Sequence, residues 1–173
     1  MSLAVTLVLG GARSGKSAYA QAAAEAAAGA GAPVMIATAE ALDADMAARI
    51  ARHQAERGTG WRTVEAPVEL AAAVRSLGAG EAAAVDCLTL WLSNLMLREI
   101  DVETAADALL AALAQTPAQV WVVSNEVGMG IVPENALARR FRDAAGRLNR
   151  RVADQADRVI VMFAGQALTL KGG

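Results

Sequence analysis

The chain has 173 residues and a formal net charge of -2, a length that favours one α/β-sized domain over residues 1–173. Its composition is 55% hydrophobic, but 43 residues are Ala, so small helix formers account for that figure as much as core builders do. With 3% aromatics and a near-neutral charge balance, the chain lacks the basic field and stacking residues of a nucleic-acid binder.

In chain order, the continuous apolar run over residues 3–9 predicts a strand buried on both faces. An Ala-rich stretch over 17–28 without β-branched residues, stopped by Gly29, predicts a helix, and 33–38 a second strand. A helix over 42–57, an extended piece over 61–65, and a helix that opens near Pro67 and closes at Gly78 and Gly80 follow. Further on, 82–85 and 120–124 read as strands, 88–98, 102–114 and 134–156 as helices, and 158–163 and 166–170 as closing strands. Strands alternating with helices predict an α/β fold whose mostly parallel sheet is flanked by helices, with sites at the carboxyl ends of the strands.

The uncharged run over 108–125 is interrupted by Gln115, Thr116, Pro117 and Gln119, so it reads as helix end, turn and strand, and no membrane span is expected. Met1 to Val5 carries no basic leader, so the expected location is cytoplasmic. Cys87, the single cysteine, makes no internal disulfide and is expected to be an inert buried thiol; with the single histidine, His53, it cannot fill a zinc shell.

The segment Gly10, Gly11, Ala12, Arg13, Ser14, Gly15, Lys16, Ser17 fits G-x-x-x-x-G-K-S between a strand and a helix. Its glycines let backbone N–H groups close around phosphate oxygens, the helix N-terminus adds a favourable dipole, and Lys16 reaches the outer phosphates. The fold expected is therefore of the P-loop NTPase type, and the ligand a nucleoside triphosphate, GTP or ATP, with Mg²⁺. Ser17 supplies one metal-ligating hydroxyl, and Asp86, an acid ending the strand over 82–85, is the candidate second ligand.

A signalling GTPase would also carry N-K-x-D, but the only lysines are Lys16 and Lys171 and neither follows an Asn. The D-x-x-G at Asp143 lies late in an Arg-rich helical segment, where it cannot meet a γ-phosphate. In the helix over 42–57, Leu42, Met46 and Ile50 share a face at 100° per residue with Arg49, His53 and Arg57. Two guanidiniums flanking an imidazole suit a polyphosphate, with the imidazole as base, acid or nucleophile; the same stripe also fits a helix edge with snorkelling arginines and a bystander His53.

Together with the phosphate loop, Ala37-Thr38-Ala39, the run Met46 to Ile50 followed by His53, Trp61 to Glu65, and Asn125 to Asn135 resemble the bifunctional adenosylcobinamide kinase / adenosylcobinamide-phosphate guanylyltransferase family of cobalamin biosynthesis. The resemblance implies phosphorylation of adenosylcobinamide by ATP or GTP, then transfer of GMP from GTP through a guanylylated histidine, giving adenosylcobinamide-GDP and pyrophosphate. It implies that His53 is the nucleophile, while Lys16, from the phosphate-loop pattern itself, is expected to be catalytic by offsetting the charge that develops on phosphate oxygens. It also implies that the loop, Ala37, Thr38, Ala39, Arg49, Gln54, Ala55, Glu56, Arg57, Glu65 and Asp86 line the GTP site; Ala37, Gln54 and Ala55 rest on the resemblance alone. Some relatives carry two adjacent histidines where this chain has Arg52-His53, so any proton transfer by a neighbouring imidazole is lacking. The competing readings are a P-loop small-molecule kinase without nucleotidyl transfer and a GTP-binding regulatory module.

Three further expectations remain. Ser124-Asn125-Glu126 ends a strand where the corrinoid or nucleotide could bind, or simply opens a glycine turn. Arg139, Arg140, Arg142, Arg147, Arg150 and Arg151 read as a solvated or subunit-facing surface. The apolar helix with Trp91, Leu92, Leu95 and Met96 exceeds what a small sheet needs, and is expected to serve a homo-oligomer, a trimer by the resemblance.

Overall fold

The computed structural model describes residues 4–41, 43–57 and 60–172, leaving aside the side chains of Arg49, His53, Glu56 and Arg57. Strands and helices alternate as β1 (Val5–Gly10), α1 (Lys16–Ala28), β2 (Val34–Ala37), α2 (Ala44–Arg57), β3 (Arg62–Glu65), α3 (Leu70–Arg75), β4 (Ala82–Asp86), α4 (Leu88–Leu97), α5 (Val102–Gln115), β5 (Gln119–Asn125), α6 (Ala136–Gln155), β6 (Arg158–Phe163) and β7 (Gln166–Lys171). They form a seven-stranded sheet in the order β3-β2-β4-β5-β1-β6-β7, parallel except for the antiparallel β6–β7 pair. The expected mostly parallel α/β sheet is what the chain forms.

The central strands are unbroken apolar runs because helices cover both of their faces. Leu7 joins the larger core, whereas Val8 on the opposite face joins a smaller one with Ala20 and Ala24 of α1. Those alanines, one helical turn apart, carry no bulk and let α1 lie across β4 and β5. The larger core is built from Trp91, Leu92 and Leu95 of α4 with Leu70 and Val74 of α3 and Leu109 and Leu113 of α5. Trp91, Leu92 and Leu95 are at most 1% exposed, which corrects the expectation that they are surplus for an oligomer. Only Met96 of that group reaches the surface, where it bounds an apolar groove with Leu97, Leu137 and Phe141.

Two helix starts differ from the sequence reading for local reasons. Asp43 Oδ1 accepts from the Met46 N–H at 2.7 Å, an N-cap bond that starts α2 at Ala44; Leu42, and with it the proposed start of the apolar face, lies outside the described residues, as does residue 3 of the first strand. Helix α3 opens at Leu70 rather than Pro67 because the carbonyls it would need are taken: Pro67 O accepts from Asn94 Nδ2 at 2.9 Å, and Val68 O from Trp91 Nε1 at 2.7 Å. The α6 arginines form surface ion pairs, Arg147 and Arg151 with Glu103, Arg151 also with Asp107, and Arg150 with Asp154. Such exposed pairs contribute at most about 1 kcal/mol each.

Candidate active site

At the carboxyl end of β1 the chain turns through residues 11–15 into α1. Gly10 has no alternative there: a Cβ would meet Ser14 Oγ and stand 2.8 Å from the Met162 carbonyl oxygen. Gly15, at φ 95, caps α1 in the left-handed region that glycine enters without steric cost. Gly11, Ala12 and Arg13 are exposed on the loop, with Arg13 itself left-handed at φ 55, while Ser14 is buried with its hydroxyl unpartnered among the described residues. Lys16 is 8% exposed and folds back so that Nζ donates to Gly11 O at 2.8 Å. The ammonium thus spans the loop that the pattern assigned to phosphate.

Strand order sets what stands beside this loop. β5 separates β1 from β4, so the ends of β2, β4, β5 and β1 make one continuous rim, with Gly10 level with Asn125 and Ala37 level with Asp86. A cleft opens along that rim, walled by Lys16 and Ser17 on one side and by Ala37, Ala39, Glu65, Asp86 and Cys87 on the others. Helix α2 closes it with Met46, Ile50 and Gln54, successive residues four apart on one helical face. The Ser17 hydroxyl and the Asp86 carboxylate therefore meet the same space, and as hard oxygen donors they suit a Mg²⁺ ion held with phosphate oxygens.

Of the expected lining residues, Lys16, Ser17, Ala37, Ala39, Gln54, Glu65 and Asp86 meet at the cleft, and others stand elsewhere. Ala55 is exposed on α2 and does not line the cleft, and the side chains of Arg49, His53, Glu56 and Arg57 lie outside the described residues. Thr38 is fully buried beneath the rim. Its Oγ1 donates to Cys87 O and accepts from Cys87 N–H, both at 2.8 Å, its N–H donates to Asp86 O, and its carbonyl accepts from Asn94 Nδ2. Thr38 therefore fixes the turn that presents Asp86. Thr38→Val keeps the shape but strips partners from two buried backbone groups, and should cost about 2 kcal/mol. Chemical denaturation should show that loss, accompanied by reduced turnover as Asp86 loses its support.

The Cys87 thiol, 5% exposed, is pushed up to about 11, first by burial and then by the Asp86 carboxylate beside it. The expectation of an inert buried thiol agrees with this environment. Because the raised value keeps the thiol protonated through neutral pH, native protein should resist iodoacetamide at pH 8, and denaturant should expose the full reactivity of one thiol. Rapid alkylation of the folded chain would contradict this.

The cleft also holds residues that sequence reasoning did not single out, Thr89 and Leu90 at the start of α4. Thr89 Oγ1 accepts from both the Asn125 N–H at 2.8 Å and Asn125 Nδ2 at 3.0 Å. Asn149 Nδ2 donates to Asn125 O, while Asn149 Oδ1 accepts from Ser124 Oγ at 2.6 Å. The end of β5 is thus pinned from two helices and carries Asn125 on the rim between the phosphate loop and Asp86. The signal available in the sequence was a threonine in the first turn of a mostly apolar helix.

Relatives share this chain nearly end to end. The bifunctional adenosylcobalamin biosynthesis protein CobP of Pseudomonas aeruginosa is 47% identical over 171 residues, covering 96% of each chain. Proteins of the corresponding name, CobU, from Salmonella typhimurium and Escherichia coli are 41% and 39% identical, each covering 95% of this chain and 98% of its own. Residues 6–170 match the family described as cobinamide kinase / cobinamide phosphate guanyltransferase, a span that takes in the phosphate loop, the whole rim and α2. By descent as well as by its phosphate loop, this chain is a member of the cobinamide kinase / cobinamide phosphate guanyltransferase family.

Proposed function

We propose that this chain carries both family activities in one catalytic domain: it phosphorylates adenosylcobinamide with ATP or GTP, then transfers GMP from GTP to the phosphate so formed. The observation that supports this most is the cleft itself, where Lys16, Ser17 and Asp86 face a wall supplied by α2, the helix that bears the single histidine. In the kinase step the corrinoid's hydroxyl oxygen takes the γ-phosphoryl, and the loop N–H groups and Lys16 stabilise the leaving nucleoside diphosphate. Mg²⁺, held by Ser17 and Asp86 when bound, would offset phosphate charge.

In the transfer step, His53 is the nucleophile. A ring nitrogen attacks the α-phosphorus of GTP, a nitrogen–phosphorus bond forms, and the bond to the pyrophosphate oxygen breaks. An oxygen of cobinamide phosphate then attacks the same phosphorus, releasing His53 and giving adenosylcobinamide-GDP. Arg49 and Arg57, one helical turn to either side of His53, are assigned to the phosphate oxygens, with Gln54, Glu56 and Glu65 beside the nucleotide. Incubation with GTP labelled at the α-phosphate should leave protein-bound label after denaturation, lost in acid and stable in base. No label would leave only a kinase or a binding module.

Among the described residues no helix is long and apolar enough to cross a membrane. A cytoplasmic location is the companion proposal. Met129 and Ile131, 86% and 97% exposed, and the groove beside Leu97 and Leu137 supply apolar surface for association of identical copies, a trimer by resemblance.

A further inference from the structure

Strand β6 lends Val159, Ile160 and Met162 to the cores, but β7 adds nothing to them: every residue of β7 is exposed, and the strand pairs only with β6 at the sheet edge. The turn between them, however, reaches the phosphate loop. The Gly165 N–H donates to the Ser14 carbonyl at 3.2 Å, and a Cβ on Gly15 would lie 3.6 Å from both Gly165 Cα and Met162 Cε. Below it, the Met162 carbonyl stands against Gly10.

The bond acts on one peptide unit. In the trans peptide joining Ser14 to Gly15, the carbonyl and the N–H point in opposite directions. Holding the Ser14 carbonyl toward the hairpin therefore turns the Gly15 N–H away from it, into the loop. Among the described residues that N–H donates to no protein acceptor. The donor is itself fixed in direction, because Ala164 and Gly165, at φ 50 and φ 77, form a two-residue turn between Phe163 and Gln166 with both residues left-handed.

We propose that this turn is an outer brace of the phosphate loop, and that Gly165 is a positioning residue that aims the Gly15 N–H at a nucleotide phosphate. The inference rests on reading the loop as the phosphate site, and deepens it by assigning a role to a hairpin far along the chain. A β-branched residue is an outlier at φ 77, whereas asparagine tolerates it, so the two substitutions separate the backbone geometry from mere loss of a glycine.

The test measures binding of α,β-methylene-GTP with magnesium to the full chain by calorimetry, alongside thermal unfolding and the KM values for GTP and cobinamide phosphate. Gly165→Val should weaken binding about five- to tenfold, the scale of one hydrogen bond, and raise the GTP KM with the corrinoid KM unchanged. Gly165→Ala should follow by a smaller factor, and serves if the valine variant does not fold. Gly165→Asn should bind within about twofold of the parent chain, as should Thr169→Gly, which loosens β7 and lowers its melting temperature without touching the turn. Unchanged binding in Gly165→Val and Gly165→Ala overturns the brace, as does equal weakening by Asn and Val. Lys16→Ala separates the two readings: if that variant also binds normally, the loop is not the phosphate site and the brace falls with it.

Discussion

Replacing His53 with Ala should abolish guanylyl transfer, by more than about a thousandfold, while phosphorylation of cobinamide persists. The asymmetry follows from the two chemistries. Transfer through a covalent intermediate needs a nucleophilic nitrogen, and His53 is the single histidine of the chain, so no second imidazole can take over. The kinase step moves a phosphoryl group directly onto a hydroxyl and needs positioning and charge stabilisation, which remain with Lys16 and the loop. Parallel assays with α- and γ-labelled nucleotide on the same preparation resolve the two activities. The α-label should stay on the parent protein and be missing from the variant. A variant with full transferase activity would remove His53 from the mechanism, and equal loss of both activities would make it a shared binding group.

The parts of this molecule legible in the sequence are those whose signal is local. The phosphate loop is written in glycines, two of which its backbone demands, since a Cβ at Gly10 meets Ser14 and Met162, and Gly15 is left-handed. Strand and helix order was equally plain, because buried parallel strands read as continuous apolar runs and α1 as an alanine run stopped by glycine. What escaped depends on partners distant in the chain. A threonine after a strand does not announce bonds to a residue 49 positions on, yet those bonds make Thr38 the support of Asp86. The start of α3 was misplaced because Trp91 and Asn94 claim its first carbonyls. Helix α4 looked too apolar for its sheet because the sequence does not reveal that its side chains share one core with those of α3, α5 and α6, in which Trp91 is buried. The arginines of α6 had few acids nearby in sequence, and Arg147 and Arg151 find two of them, Glu103 and Asp107, on α5.

Lys16→Ala should depress both activities together, by about a hundredfold or more. Lys16 is almost buried, but its ammonium bonds to the carbonyl of exposed Gly11, so truncation leaves an acceptor that water can reach. Bound triphosphate brings several negative charges to this loop, where Lys16 supplies a fixed positive charge, and the leaving diphosphate or pyrophosphate gains further charge during either reaction. Lys16→Arg should not restore activity, because a planar guanidinium does not fit a space shaped around a compact ammonium bonded at 2.8 Å to the loop's own backbone. Unfolding curves and the two labelled assays, run on both variants, check these effects separately. Loss of one activity alone would place the two reactions at different phosphate sites, whereas parallel loss ties kinase and transferase to the same loop and leaves the α2 histidine as the feature that distinguishes them.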